Sequence, residues 1–152
     1  MWKVPPIIKV YEALGAVVDD RLEIADNKAK CYSSSGNKYY DVTYSPEESA
    51  IMVNDNGSYW KGYLGYPAIA FLLKIGVFEY RPVLAAHFKS IPWKDINQKF
   101  DDDFEKTMEY IFADIDLGTQ KEIEDYAEKL LQDVEALGLL KLGMQQKPPV
   151  GY

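Results

Sequence analysis

Arg21-Leu22-Glu23-Ile24-Ala25-Asp26-Asn27-Lys28-Ala29-Lys30-Cys31-Tyr32 and, a few residues on, Tyr39-Tyr40-Asp41-Val42-Thr43-Tyr44 decide the fold. Both stretches alternate with a period of two. Leu22 and Ile24 interleave with Arg21 and Glu23, Ala29 and Cys31 with Lys28, Lys30 and Tyr32, and Tyr40, Val42 and Tyr44 with Tyr39, Asp41 and Thr43. Alternation at that period puts one set on each face of a half-buried strand. Asp26-Asn27 and Ser33–Asn37 are turn chemistry, and each connection has hairpin length. A parallel crossover needs a dozen residues or more. Reading onward, Ser49–Val53 and Ser58–Tyr63 are further strand candidates, separated by Ser45–Glu48 and by Asn54–Gly57. The expectation is an antiparallel meander of four to five strands.

On either side the period becomes helical. Pro5–Leu14 reads as a short helix with Gly15 as its stop. Pro67–Ile75 is apolar nearly all round, which marks a buried helix. Arg81–Lys89, Pro92–Phe100 and Asp103–Ile115 are further helices. A final helix follows: Thr119 and Glu122 form a capping box, Ile123 to Leu137 carry the apolar stripe, and Gly138 closes it. Helices with apolar stripes need the sheet as partner, so the fold class expected is α+β, a single domain over residues 1–144. Residues 145–152, with two prolines and little to bury, read as a mobile tail. The 152 residues suffice for one core without staples.

Charge and cysteine exclude several classes. The net charge of −7 is uneven: residues 1–75 carry 8 basic and 9 acidic side chains, residues 76–152 carry 9 and 15. An acidic half repels a phosphate backbone, which argues against duplex DNA. Only Arg21 and Arg81 supply guanidinium groups. Cys31 is the sole cysteine, so no internal disulfide forms, in keeping with a reducing compartment. Lys9 and Glu12 interrupt the first apolar run, and the longest uncharged stretch, Gly62–Leu73, has 12 residues. Neither a secretory signal nor a membrane span is expected, and the reading is cytoplasmic.

Several chemistries fail on spacing. His87 is the one histidine and sits among apolar residues, where a structural role is expected. A zinc site wants four ligands drawn largely from cysteine and histidine. Asp114-Ile115-Asp116-Leu117-Gly118 begins like a calcium loop, but its glycine comes one position early and Asp125 stands where glutamate is required. Gly57 and Gly62 have phosphate-loop spacing without the lysine that follows it. Asn56-Gly57-Ser58 matches a glycosylation sequon in pattern alone. Asp101, Asp102 and Asp103 precede a helix, where acidic groups offset the helix dipole. Asp101, Asp103, Asp114 and Asp116 are weak metal candidates, able to hold Mg²⁺ only if the two clusters meet in space. No cofactor is expected.

What rises above background is aromatic. Twelve tyrosines and three tryptophans are many for this length. If Leu22, Ile24, Ala29, Cys31, Tyr40, Val42, Tyr44 and Trp60 face the helices, the other face carries Arg21, Glu23, Lys28, Lys30, Tyr32, Tyr39, Asp41, Thr43, Tyr59, Lys61 and Tyr63. Tyrosine beside lysine suits an interface or stacking on planar ligands, while tyrosine's strand propensity explains the same pattern structurally. The expected binding residues are Tyr32, Tyr39, Tyr59, Tyr63, Lys28, Lys30 and Lys61. The function expected is a non-catalytic interaction module for a protein partner or a second copy of itself. Two alternatives remain open: a protein binding single-stranded nucleic acid by stacking, and a small metal-assisted enzyme.

Overall fold

A computed structural model describes residues 1–150, so Gly151 and Tyr152, which end the expected tail, lie outside the described residues. The architecture is α+β. Helix α1 (Ile8–Val18) leads into strands β1 (Leu22–Ala25), β2 (Lys28–Tyr32), β3 (Tyr39–Ser45) and β4 (Ala50–Val53). Helices α2 (Asn56–Lys61), α3 (Tyr66–Lys74), α4 (Pro82–Ala85, continued as a 3-10 turn over Ala86–Phe88), α5 (Trp93–Lys99), α6 (Phe104–Phe112) and α7 (Leu117–Leu137) follow. The chain then returns as β5 (Leu140–Lys141).

The meander pairs as the alternation requires. Cys31 lies opposite Tyr40 and Ala29 opposite Val42. All four are buried, while Lys28, Lys30, Tyr39 and Asp41 point outward and are exposed. Strand β4 is buried along its whole length. Helix α3 contacts β2, β3 and β4 on one side and α1 on the other, and Phe71, Leu72, Ile69 and Leu14 form the centre of the core. Tyr44 meets Phe71 edge-on at 6.0 Å.

Five local expectations are corrected. Helix α1 runs through Gly15 instead of stopping there. A Cβ at Gly15 would stand 2.7 Å from Trp93 Nε1 and 3.3 Å from the Phe88 carbonyl oxygen, so this glycine serves close packing, not termination. Residues 58–63 are helix and the turn after it, not strand. Asp55 caps α2 by accepting from the Ser58 N–H, and Gly62 ends it at φ 75°, a left-handed value that glycine adopts without strain. Trp60 therefore lies outside, 71% exposed, instead of facing the helices. The fifth strand is β5, which pairs parallel to β4 with Leu140 opposite Ala50. Finally, α7 starts before the expected box. Asp116 is its cap, accepting from both the N–H and the hydroxyl of Thr119 at 2.8 and 2.7 Å. His87 is exposed, not interior.

The edge of β4 is stitched by both ends of the fold. Trp2 donates from its indole Nε1 to the Ile51 carbonyl at 2.9 Å and from its backbone to Leu139 at 3.1 Å. Leu140 and Leu142 donate to Ser49 and Ile51. In the expected tail, the Gln145 amide donates to the Val53 carbonyl and the Asn54 amide to the Lys147 carbonyl.

Candidate functional site: a polar cleft between α1, α5 and the sheet

A cleft of about 350 Å³ opens where the middle of α1, the start of α5, the β2–β3 turn and the N-terminus of α2 converge. Each wall brings charge inward. Helix α1 contributes Lys9 and Glu12, an i,i+3 pair on one face. Both side chains are largely buried and joined at 3.0 Å. From α5, Asn97 donates its amide to the other Glu12 oxygen at 3.0 Å. Burial works to lower the Lys9 pKa, but Glu12, helped by Tyr63 and Asp55, outweighs it and leaves the ammonium raised and firmly charged.

Asp55 forms the second wall. It is 4% exposed and bonded to Ser58 through both the backbone N–H and the hydroxyl. The Ser58 hydroxyl in turn accepts from the Gly65 N–H at 3.0 Å. A Cβ at Gly65 would sit on the Asp55 carboxylate, so the glycine is what admits the acid. Burial raises the Asp55 pKa against the lowering pull of the Ser58 bonds and Lys9. Tyr40 is pushed up to about 12, first by burial and then by Asp55, and burial raises Tyr66 well above its ordinary value. Their rings meet edge-on at 6.1 Å. These phenols are neutral hydroxyls at physiological pH.

Arg21 and Trp93 complete the lining. The Arg21 Nη1 donates to the Tyr32 carbonyl at 2.8 Å, but its Nε and Nη2 are buried without a hydrogen-bond partner. The Trp93 indole Nε1 and the Asn97 Oδ1 are buried and unpartnered as well. Buried polar atoms are ordinarily satisfied, so four unpartnered ones on residues that line a single cleft depart from the usual pattern.

The expected binding residues divide between two places. Lys28, Lys30, Tyr32 and Tyr39 share the outer face of β2 and β3. The Tyr32 and Tyr39 rings pair across the strands at 5.7 Å, and the Lys30 ammonium stands 4.7 Å over the Tyr39 ring. Tyr59 and Lys61 lie on α2 instead, and Tyr63 follows it, its ring packed where a side chain on Gly57 would fall. Tyr63 is held near Lys9 and Asp55, which act on its hydroxyl electrostatically, so it belongs beside the cleft.

The two acidic clusters stand at helix starts. Among the described residues no group of three or more His, Cys, Asp or Glu side chains stands together as a metal would require. Asp103 caps α6 through the Lys106 N–H, and Asp116 caps α7. Burial pushes the Cys31 thiol up to about 12, which leaves it protonated and unreactive. Among the described residues no helix is long and apolar enough to cross a membrane.

Sequence reasoning passed over Lys9, Glu12, Asp55 and Asn97 as site residues, and it placed Arg21 on the outward sheet face, whereas the Arg21 side chain is 11% exposed and lines the cleft. One signal was present: two opposite charges one helical turn apart inside the otherwise apolar Ile7–Val18 run.

Fold and cleft together define a small α+β protein with an open polar cleft lined by buried charged and partly unpartnered side chains. The chain belongs to the family described as "Uncharacterised conserved protein UCP014422", whose match spans residues 2–140 and so takes in every element that lines the cleft. No curated protein and no solved structure matches it.

Proposed function

We propose that the protein is a binding module and that its ligand, a small polar molecule, seats in the cleft between α1, α5 and the sheet. One observation carries this reading: charged and polar groups from five separate chain segments are buried around a single opening, and four of their polar atoms have no partner. Burying charge is costly unless it is paired, and an orphaned buried donor costs more than a polar group left in water. A fold with no use for the cavity would fill it with apolar side chains at lower cost. Neutral phenols and a firmly charged Lys9 suit recognition through hydrogen bonds and fixed charge.

The test is native mass spectrometry of protein purified from its own host, alongside Asn97→Leu, which puts an apolar side chain where the amide now stands. A small molecule retained by the parent and lost by N97L supports the cleft. Retention by both proteins places the ligand elsewhere.

A second reading concerns the outer sheet face, where Lys28, Lys30 and Tyr39 are exposed and, among the described residues, uncovered by any helix. Such a surface fits a protein partner or a second copy of the chain. Tyr39→Ser, followed by sedimentation of both proteins over a concentration series, tests it. An association that Y39S does not weaken removes this face from consideration.

A further inference from the structure

Helix α1 borders a second opening. A groove of about 880 Å³, sharing no residue with the cleft, runs between the start of α1, α6 and the first half of α7. Its floor is apolar, built from Ile7, Tyr11, Phe104, Met108 and Phe112. Ile7, Phe104, Met108 and Phe112 pack against the core but are only half-buried. Tyr11 stands edge-on to Phe112 at 5.7 Å. It is 3% exposed and lines the groove, and no other described residue hydrogen-bonds its hydroxyl. Burial, reinforced by Glu124 and Glu128, raises its pKa, so the phenol stays a neutral donor.

The walls are acidic. Glu105 and Glu109 line the groove from α6, Glu124 and Glu128 from α7, and all four are exposed. None of them is in an ion pair with another described residue. The one lysine of the lining, Lys121, is already bound to Asp125 at 2.9 Å. Lys9, whose ammonium stands 5.2 Å over the Phe104 ring, is bound to Glu12. Each wall thus holds two like charges one helical turn apart, a spacing that works against its own helix.

An apolar centre within a charged rim is the anatomy of a protein interface, and a flexible methionine suits a surface that adapts to its partner. The sign of the rim selects the occupant. Nucleic acid and anionic lipid are repelled. A second copy docking symmetrically through the same groove would set glutamate against glutamate. An amphipathic helix with lysine or arginine on both flanks of an apolar stripe meets the floor and both walls at once.

We infer that the groove between α1, α6 and α7 docks a lysine- or arginine-bearing amphipathic helix of a partner protein. Its apolar stripe lies on Tyr11, Met108 and Phe112, and its cations face Glu105, Glu109, Glu124 and Glu128. This interaction is separate from the small-molecule cleft and does not depend on it.

The experiment is an NMR titration of the ¹⁵N-labelled full chain with a synthetic peptide of about 16 residues, long enough to hold a helix, carrying leucine and phenylalanine on one stripe and lysine on both flanks. Saturable shifts are expected at the amides of α6 and the first half of α7. Fluorescence anisotropy of the labelled peptide gives the affinity. The variant Glu105→Gln/Glu109→Gln/Glu124→Gln/Glu128→Gln weakens binding about ten-fold or more. The variant Glu47→Gln/Glu48→Gln/Glu122→Gln/Glu135→Gln removes as many exposed charges outside the groove and weakens it less than about three-fold. Circular dichroism checks that both fold as the parent does, as substitutions at exposed positions should. A peptide with the same lysines but serine along the stripe should not bind. The inference is overturned if no saturable shift falls on α6 or α7, if both variants weaken binding equally, or if the serine peptide binds as well as the first. Self-association abolished by the groove variant, with no peptide binding, gives the groove to a second copy and removes the partner helix.

Discussion

Gly65→Ala tests the geometry on which the cleft depends. Gly65 has φ −74°, so alanine meets no backbone strain there, and the whole effect must come from the added methyl group. That methyl would land on the Asp55 carboxylate. Asp55 is buried and wedged under α2, so it cannot swing into solvent without giving up its bonds to Ser58. Overpacking a buried site costs about 1–3 kcal/mol. Losing the α2 cap adds about 1 kcal/mol. The expected loss is therefore about 2–4 kcal/mol, a fall in Tm of roughly 4–16 °C for a chain this size. Urea unfolding and calorimetry measure it. The decisive comparison is the same substitution in an Asp55→Ser background, where the shorter side chain still caps the helix but leaves room for the methyl. There G65A should cost less than about 1 kcal/mol, with the difference appearing as coupling between the two sites. An equal cost in both backgrounds would refute the contact.

Gly15→Ala gains about 1 kcal/mol of helix propensity and loses about 1–3 kcal/mol to overpacking against Trp93, so urea unfolding should find it neutral to destabilised, with a changed tryptophan fluorescence spectrum. Trp60→Ala should shift stability by no more than about 0.5 kcal/mol because the ring is exposed, whereas Phe71→Ala should cost about 3–5 kcal/mol. The folded-state pKa of Asp55 lies above its ordinary value of 3.8, so the protonated acid is the form the fold prefers; the stability tied to that preference is present below pH 3.8 and is lost as pH rises through the raised value. The Tm advantage of Asp55→Asn over the parent should accordingly grow above about pH 4 and then level off; an advantage independent of pH would contradict it. The Cys31 thiol, buried and pushed up to about 12, should react with a thiol reagent in native protein only as fast as the protein unfolds.

The sheet was legible because burial on one face imposes a strict two-residue alternation. Ala29, Cys31, Tyr40 and Val42 could take no other side without exposing their neighbours' partners. The helical half was legible for the same reason at a different period. The failures lie where local chemistry has two solutions. Asn54-Asp55-Asn56-Gly57 is as good a hairpin turn as it is a helix start, and what settles it is Gly65 arriving from eight residues further on to make room for the Asp55 cap. Gly15 looks like a stop because the indole that fills its missing side chain sits 78 positions away in the chain. The cleft was hidden for a related reason. Lys9, Arg21, Asp55 and Asn97 are each unremarkable in their own stretch, and only the packing of α5 against α1 gathers them. The surface tyrosines were conspicuous by number, which is a property of composition, while the cavity is a property of assembly.

The parallel pairing of Leu140 and Lys141 with β4 has a bearing on how the protein is made. Strand β4 is the most hydrophobic of the sheet, and although the Trp2 indole can reach the Ile51 carbonyl early, the rest of its edge, the Ser49 carbonyl included, waits for Leu140 and Leu142. Those two leucines follow every helix in order of synthesis. A nascent chain can complete the meander and most of its helical layer while that edge still stands open to any extended segment nearby. Closure comes from a two-residue strand, and until it docks the half-made protein is a template for mispairing.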